Sequence, residues 1–365
     1  MMTKLISTAL IVVLVAPIAA QAKGKCESMF KDGTPASIFV TIVKKIDTRL
    51  TEAGRHRTLH DRRQANQLRT DLFQLEAWAR LHRNWPDEGE RKMFIRLRDQ
   101  TKELEDVLGA VDNANTLLAE ASQRNIPALV RHLSDELHAR EKDLKRVLRE
   151  NDWMTNEGRT RTSKILEKLD DVKWLSTEEH VNYMRAEIAN EIAAFEARFD
   201  SEIRPVLMRT KYDHDAVELF VHTWRRQIRW YAIYMQTSRG LIGLKDAPSK
   251  PSAEAGRLLE ELKANPFANL LTTEKTTVKV DRVAYFELTR LIDQIGKVKD
   301  AAEMFFYIKA HLLASGTVKN EAEAEATARV LYGNIPEETP RRVQEILAEY
   351  DRFRPLAKIR RDITP

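Results

Sequence analysis

Four side chains in one short stretch, His222, Arg225, Arg226 and Arg229, stand at spacing i, i+3, i+4 and i+7. On a helix this spacing gathers them on one face over about two turns. Guanidinium forks take phosphate oxygens two at a time, and an imidazole beside them can add a hydrogen bond, so the chemistry on offer is anion binding. No Asp or Glu occurs between Glu218 and Asp246, where average composition would place about four. Leaving out carboxylates avoids neutralisation within the helix and keeps its field positive. Val217, Phe220, Trp224, Ile228, Tyr231 and Met235 form the apolar stripe of the same helix. Trp224 and Tyr231 therefore read as core, although Trp224, Trp230, Tyr231 and Tyr234 are all of a type that can stack on bases. Two readings of the basic face are open: an anion site, or arginines paired to acids on neighbouring helices.

Other residue types narrow the chemistry. The sequence holds no nucleophile elbow, phosphate-cradling glycine loop or paired-carboxylate signature, so no catalytic residue, cofactor or metal site is expected. Cys26 is the single cysteine, which excludes an internal disulfide and a multi-cysteine zinc site. His56 and His60 have the i, i+4 spacing of a metal pair, but Arg55, Arg57, Arg62 and Arg63 around them repel a cation and suit an anion or plain solvent. His132 and His138 read as surface residues, and Ser176-Thr-Glu-Glu179-His180 as a helix start.

The elements that must position these groups are helices. Glycine and proline number 12 each in 365 residues, and apolar residues recur at helical spacing without sustained alternation. Helices are predicted over 36–52, 59–82, 88–121, 127–151, 161–175, 177–210, 215–238, 252–264, 282–315, 321–332 and 340–352. Residues 272–283, the one strand-like piece, are read as a linker. The segment 132–152 alternates charge sign and reads as a solvated, protruding hairpin.

The fold class is all-α: two similar helical bundles related by internal duplication. One helix carries Leu108-Gly109-x-Val111-x-Asn113, and a later one carries Ile295-Gly296-x-Val298-x-Asp300. A mid-helix glycine costs about 1 kcal/mol against alanine, so it marks close contact or a kink. The preceding helices align as well: Leu68 with Trp224, Arg69 with Arg225, Leu72 with Ile228, Leu75 with Tyr231 and Trp78 with Tyr234.

His222-x-x-Arg225-x-x-x-Arg229, followed after a linker by Ile295-Gly296-x-Val298-Lys299-Asp300, resembles the conserved-histidine α-helical (CHAD) family over roughly 59–332. The resemblance implies two helical bundles with a basic channel between them that holds inorganic polyphosphate. His222, Arg225, Arg226, Arg229 and Lys299 would line it from the second half, and Arg69 from the first. The first half departs from the pattern: Asn66 stands at the histidine position, Phe73 replaces the next basic residue, and Asp112-Asn113 stands where a basic residue and Asp are expected. Arg62, Arg63, Arg96, Arg98 and Lys102 are the available substitutes.

Residues 1–22 have the charged start, short apolar core and Ala20-Gln21-Ala22 pattern of a signal peptide, so export to the periplasm or beyond is expected, with cleavage near Ala22. The remaining organisation is read as an extension with a lead-in helix (23–58), a first bundle (59–175), a second bundle (176–332) and a C-terminal helix with tail (333–365). The formal net charge of +5 is small for this length, so a polyanion site must come from local clustering. The expected role is non-catalytic polyanion binding, polyphosphate first. The alternative is an envelope scaffold whose arginine-rich helix is salt-bridged internally and whose charged helices dock a protein partner.

Overall fold

Long runs rich in Ala, Leu, Glu, Lys and Arg favour helix. A computed structural model describes residues 34–56, 62–155, 159–238, 241–245 and 278–365, with 253, 256 and 257. The calls on residues 1–33, including the signal peptide and Cys26, on His60, and on most of 252–264 lie outside the described residues. So do the side chains of His56, Arg62 and Arg63.

The described chain is all-α apart from one strand pair. Helix α1 spans Pro35–His56, α2 Arg62–Leu81, α3 Glu88–Gln123, α4 Pro127–Glu150 and α5 Arg161–Asp170. Helix α6, Thr177–Arg198, continues through a π-helical turn, Phe199–Ile203, to Leu207. A second π-helical turn, Val217–His222, leads into α7, Thr223–Thr237. Then follow β1 (Ile242–Leu244), β2 (Val278–Val280), α8 (Arg282–Ala314), α9 (Glu321–Tyr332), α10 (Ile335–Phe353) and α11 (Pro355–Ile363).

The capping box at Ser176 is present: its side chain accepts from the Glu179 N–H, and Glu179 reaches back to the Ser176 N–H. Pro127 opens α4, as its missing N–H allows. Other expectations are corrected. Val278–Val280 is a strand, parallel to Ile242–Leu244, because buried Val278 and Val280 alternate with exposed Lys279. Arg354 in the left-handed conformation ends α10 and allows α11, which the sequence reading missed. Helix α4 is no free hairpin: Leu129, Leu133, Leu144, Val147 and Leu148 are buried, and its first turns share a small core with Ile308 and Leu312 of α8.

The main core is continuous from Ile38 to Ile363. It takes in Phe39 and Ile42 of the expected N-terminal extension and Leu356, Ile359 and Ile363 of the expected tail. Both end segments therefore belong to the packed body. Helices α2 and α3 pack together, α7 packs on α8, and α2 packs directly on α7. That last contact brings the two glycine-bearing pairs to a common boundary.

Candidate functional site

The α2–α7 boundary opens into a cleft of about 250 Å³. Arg69, Arg80, Lys102, Arg225, Arg226, Arg229 and Lys299 line it with His222, facing Glu76, Glu105 and Asp106 as the lining carboxylates. Seven permanent cations thus meet three acids. Of the expected site residues, His222, Arg225, Arg226, Arg229, Arg69 and Lys299 are brought together here. Arg98 is not among them: its guanidinium goes to Asp99, 2.6 Å away. Arg96 lies along another groove, beside Gly89 and Lys168. Lys102, one turn beyond Arg98, is the residue of α3 that reaches the cleft.

The two mid-helix glycines have the same local use. A Cβ on Gly109 would come 3.0 Å from a terminal nitrogen of Arg69, and a Cβ on Gly296 would come 2.7 Å from Nε of Arg225. Each glycine thus gives up its side chain to let a guanidinium lie on the helix. What flanks the glycines differs. In α3, Glu105 holds Arg69 at 2.6 Å and Asp112 approaches it at 3.6 Å. In α8 the matching positions, four before and three after the glycine, are Ile292 and Lys299. There the Ile292 carbonyl accepts from Arg225 Nε at 3.2 Å. The first half therefore places carboxylates on its arginine at two positions where the second half has Ile292 and Lys299.

Arg229 does not face away from the body, although its position on α7 lies off the apolar stripe of that helix. It lies half-buried over the ring of Phe73, with 4.0 Å from guanidinium carbon to ring centre. Among the described residues no carboxylate lies within 4.0 Å of it. Burial, then the positive charge of Arg225, lowers its pKa to about 10. Phe73, where the family resemblance leads one to expect a basic residue, thus acts as the platform beneath this cation. Arg226 is exposed and makes no ion pair among the described residues. Arg80 stacks on Trp230 at 4.6 Å, bonds the Tyr234 hydroxyl at 3.2 Å and meets Glu76 at 3.4 Å. Burial raises the Glu76 pKa, as expected for a carboxylate withdrawn from water. Trp224 and Tyr231 are core residues, as read from the sequence, and Trp230 lines the cleft.

His222 departs from a simple anion donor. Its Nδ1 lies 3.2 Å from Glu218 and 3.5 Å from Glu303. Proximity to Glu218, then to Glu303, raises the His222 pKa, and the ring in turn lowers Glu218 to about 2. Lys299 pairs with Glu303 at 2.6 Å and Asp300 at 2.9 Å. This end of the cleft is therefore partly neutralised. Glu303 sits two turns beyond Gly296 on α8, too far along the sequence from His222 for spacing to suggest the contact.

Two histidine pairs also escaped sequence reasoning. His180, expected only at a helix start, is wholly buried with His82, and their Nε2 atoms are 2.9 Å apart. His82 Nδ1 is 2.6 Å from the Trp78 carbonyl, so it carries the proton and donates. Phe39, Trp85, Phe94, Trp174 and Tyr183 surround the pair. Burial pushes the two pKa values down to about 3 and about 2, so both rings are neutral. His132, expected on the surface, is half-buried and bonds His311 of α8 at 3.0 Å, whereas His138 is exposed.

A scan against protein-family models, a search of curated proteins and a search of solved structures each found no match. Among the described residues no helix is long and apolar enough to cross a membrane.

Proposed function

We propose that this chain is an exported, non-catalytic polyanion-binding protein of duplicated CHAD-like architecture, with inorganic polyphosphate as its first ligand. The observation that carries the reading is the cleft itself: seven lining Lys and Arg side chains against three lining carboxylates, with Arg229 half-buried there and no acid within ion-pair distance of it among the described residues. A half-buried charge without an acidic partner is costly, and a phosphate anion entering the cleft offsets that cost. The matched arginine-over-glycine contacts at Arg69–Gly109 and Arg225–Gly296 support the duplicated architecture. Residues 1–22 support export to the periplasm or the medium.

The scaffold alternative draws support from Arg69, Lys102 and Lys299, each already paired to acids. It leaves Arg226 and Arg229 without a role. Titration of the protein with polyphosphate at several salt concentrations separates the two readings. Binding through the cleft makes log K fall linearly with log salt, and Arg226→Ala lowers that slope by about one with the melting temperature unchanged, because the side chain is exposed. A folded protein that ignores polyphosphate, heparin-like polymers and nucleic acid at low salt overturns the binding reading.

A further inference from the structure

The end of the cleft occupied by His222 has a second chemistry. Glu218, His222 and Glu303 each offer one ligand atom, and the three atoms lie within 4.8 Å of one another. We propose that this triad is a binding site for a divalent transition metal, zinc by preference. The proposal stands on the geometry of these three residues and does not depend on the cleft's binding a polyanion.

The first argument is how the two carboxylates are held. Tyr307 donates its hydroxyl to Glu218 Oε1 at 3.2 Å, and Lys299 donates to Glu303 Oε2 at 2.6 Å. The outer oxygen of each acid is therefore engaged from behind. The inner oxygens, Glu218 Oε2 and Glu303 Oε1, are the ones that face His222 Nδ1. Carboxylates oriented in this way by a donor on the far oxygen are the usual supporting shell of a metal site.

The second argument is that the inner atoms do not satisfy one another. His222 Nδ1 and Glu303 Oε1 are both out of contact with solvent, and neither has a hydrogen-bond partner of proper geometry. They are near, at 3.5 Å, but not aligned as an N–H···O bond. One imidazole proton can serve only one of two carboxylates, whereas a cation between them serves both and takes the ring nitrogen as well.

The third argument is spacing. Four ligands at about 2.1 Å from a tetrahedral zinc ion lie about 3.4 Å apart. The separations from His222 Nδ1, 3.2 Å to Glu218 and 3.5 Å to Glu303, fall on either side of that edge length. One nitrogen and two oxygens also suit zinc better than magnesium or calcium, which favour all-oxygen shells. The π-helical turn Val217–His222 carries both Glu218 and His222, and such turns recur where a helix is adapted to a site. Lys299 is the competing cation, but it already has Asp300 at 2.9 Å as a second acid. Three protein ligands leave the fourth position to water or to an anion oxygen from the cleft, which His222 and Lys299 line.

The test is calorimetric titration of tag-free, metal-stripped protein with zinc chloride in the absence of any polyanion, followed by cobalt substitution. The expected result is one ion per chain and an intense visible cobalt spectrum of the tetrahedral kind. Glu303→Gln and Glu218→Gln should each weaken binding at least tenfold, with the circular dichroism of the native helices retained. Tyr307→Phe, which only releases the outer oxygen of Glu218, should weaken it less. Stoichiometric zinc binding that both Glu variants retain, or no binding by the folded wild type, overturns the assignment. Either outcome leaves the polyphosphate titration to be judged separately.

Discussion

Arg229→Met is the variant on which the binding and scaffold readings differ most. Withdrawal from water lowers the Arg229 pKa from the ordinary arginine value to about 10. At about 1.4 kcal/mol per unit, keeping that charge in the folded state costs about 3 kcal/mol. Methionine has a similar length and no charge, so the cost disappears. The contact with Phe73 goes with it, a loss of about 1 kcal/mol. The net expectation is a gain of about 2 kcal/mol, a rise of a few degrees in melting temperature. The same variant removes one phosphate contact, so the slope of log K for polyphosphate against log salt should shrink by about one. Stability and affinity therefore move in opposite directions, as at sites where a functional charge is kept at the expense of stability. The assay is a thermal melt of each protein beside polyphosphate titrations at three or more salt concentrations. A lower melting temperature with unchanged polyphosphate affinity would refute the reasoning and make Arg229 a structural residue.

Three further outcomes are expected. The buried His82–His180 pair has folded pKa values of about 3 and about 2, so its neutral form stabilises the fold fully above pH ~6.5, and that stability drains as pH falls below it; both rings together should cost about 4 kcal/mol by pH 5. Denaturant titrations at pH 7 and pH 5 measure this, and the double variant His82→Phe/His180→Phe should flatten the difference; an unchanged pH dependence counts against the pair. Gly296→Ala should leave the melting temperature level or slightly higher, since alanine favours helix by about 1 kcal/mol and the clash falls on the movable end of Arg225, while polyphosphate affinity drops as that guanidinium is displaced; a variant with wild-type affinity contradicts the contact's role. Ser176→Ala removes the side-chain half of the α6 capping box, leaving the Glu179 bond to the backbone N–H, and should lower stability by about 1 kcal/mol in urea melts, with zinc and polyphosphate binding unaltered.

Much of the frame was legible because its signals are local. The apolar period of α7, the capping box at Ser176, Pro127 at the start of α4 and the scarcity of glycine depend on neighbours a few residues away, and each names a helix directly. Gly109 and Gly296 could be marked as close-contact positions for the same reason, since a helix keeps a costly glycine only where a side chain does not fit. Strand β2 was misread because its partner lies 36 positions earlier, at Ile242, and three residues carry too little pattern to announce a pairing on their own.

The sequence by itself determined an all-α chain with a basic helix free of acids, and it correctly gathered His222, Arg225, Arg226 and Arg229 into one group. Only the tertiary structure decided what that group faces. Glu105 and Asp112 come from α3 to take Arg69, Glu303 comes from α8 to His222, and Phe73 comes from α2 to lie under Arg229. Helical periodicity gives a side chain's direction from its own axis but not the identity of the residue opposite. The charge balance of a cleft between helices is the sum of faces that meet only when the chain folds, so electrostatics, unlike helicity, could not be read one element at a time.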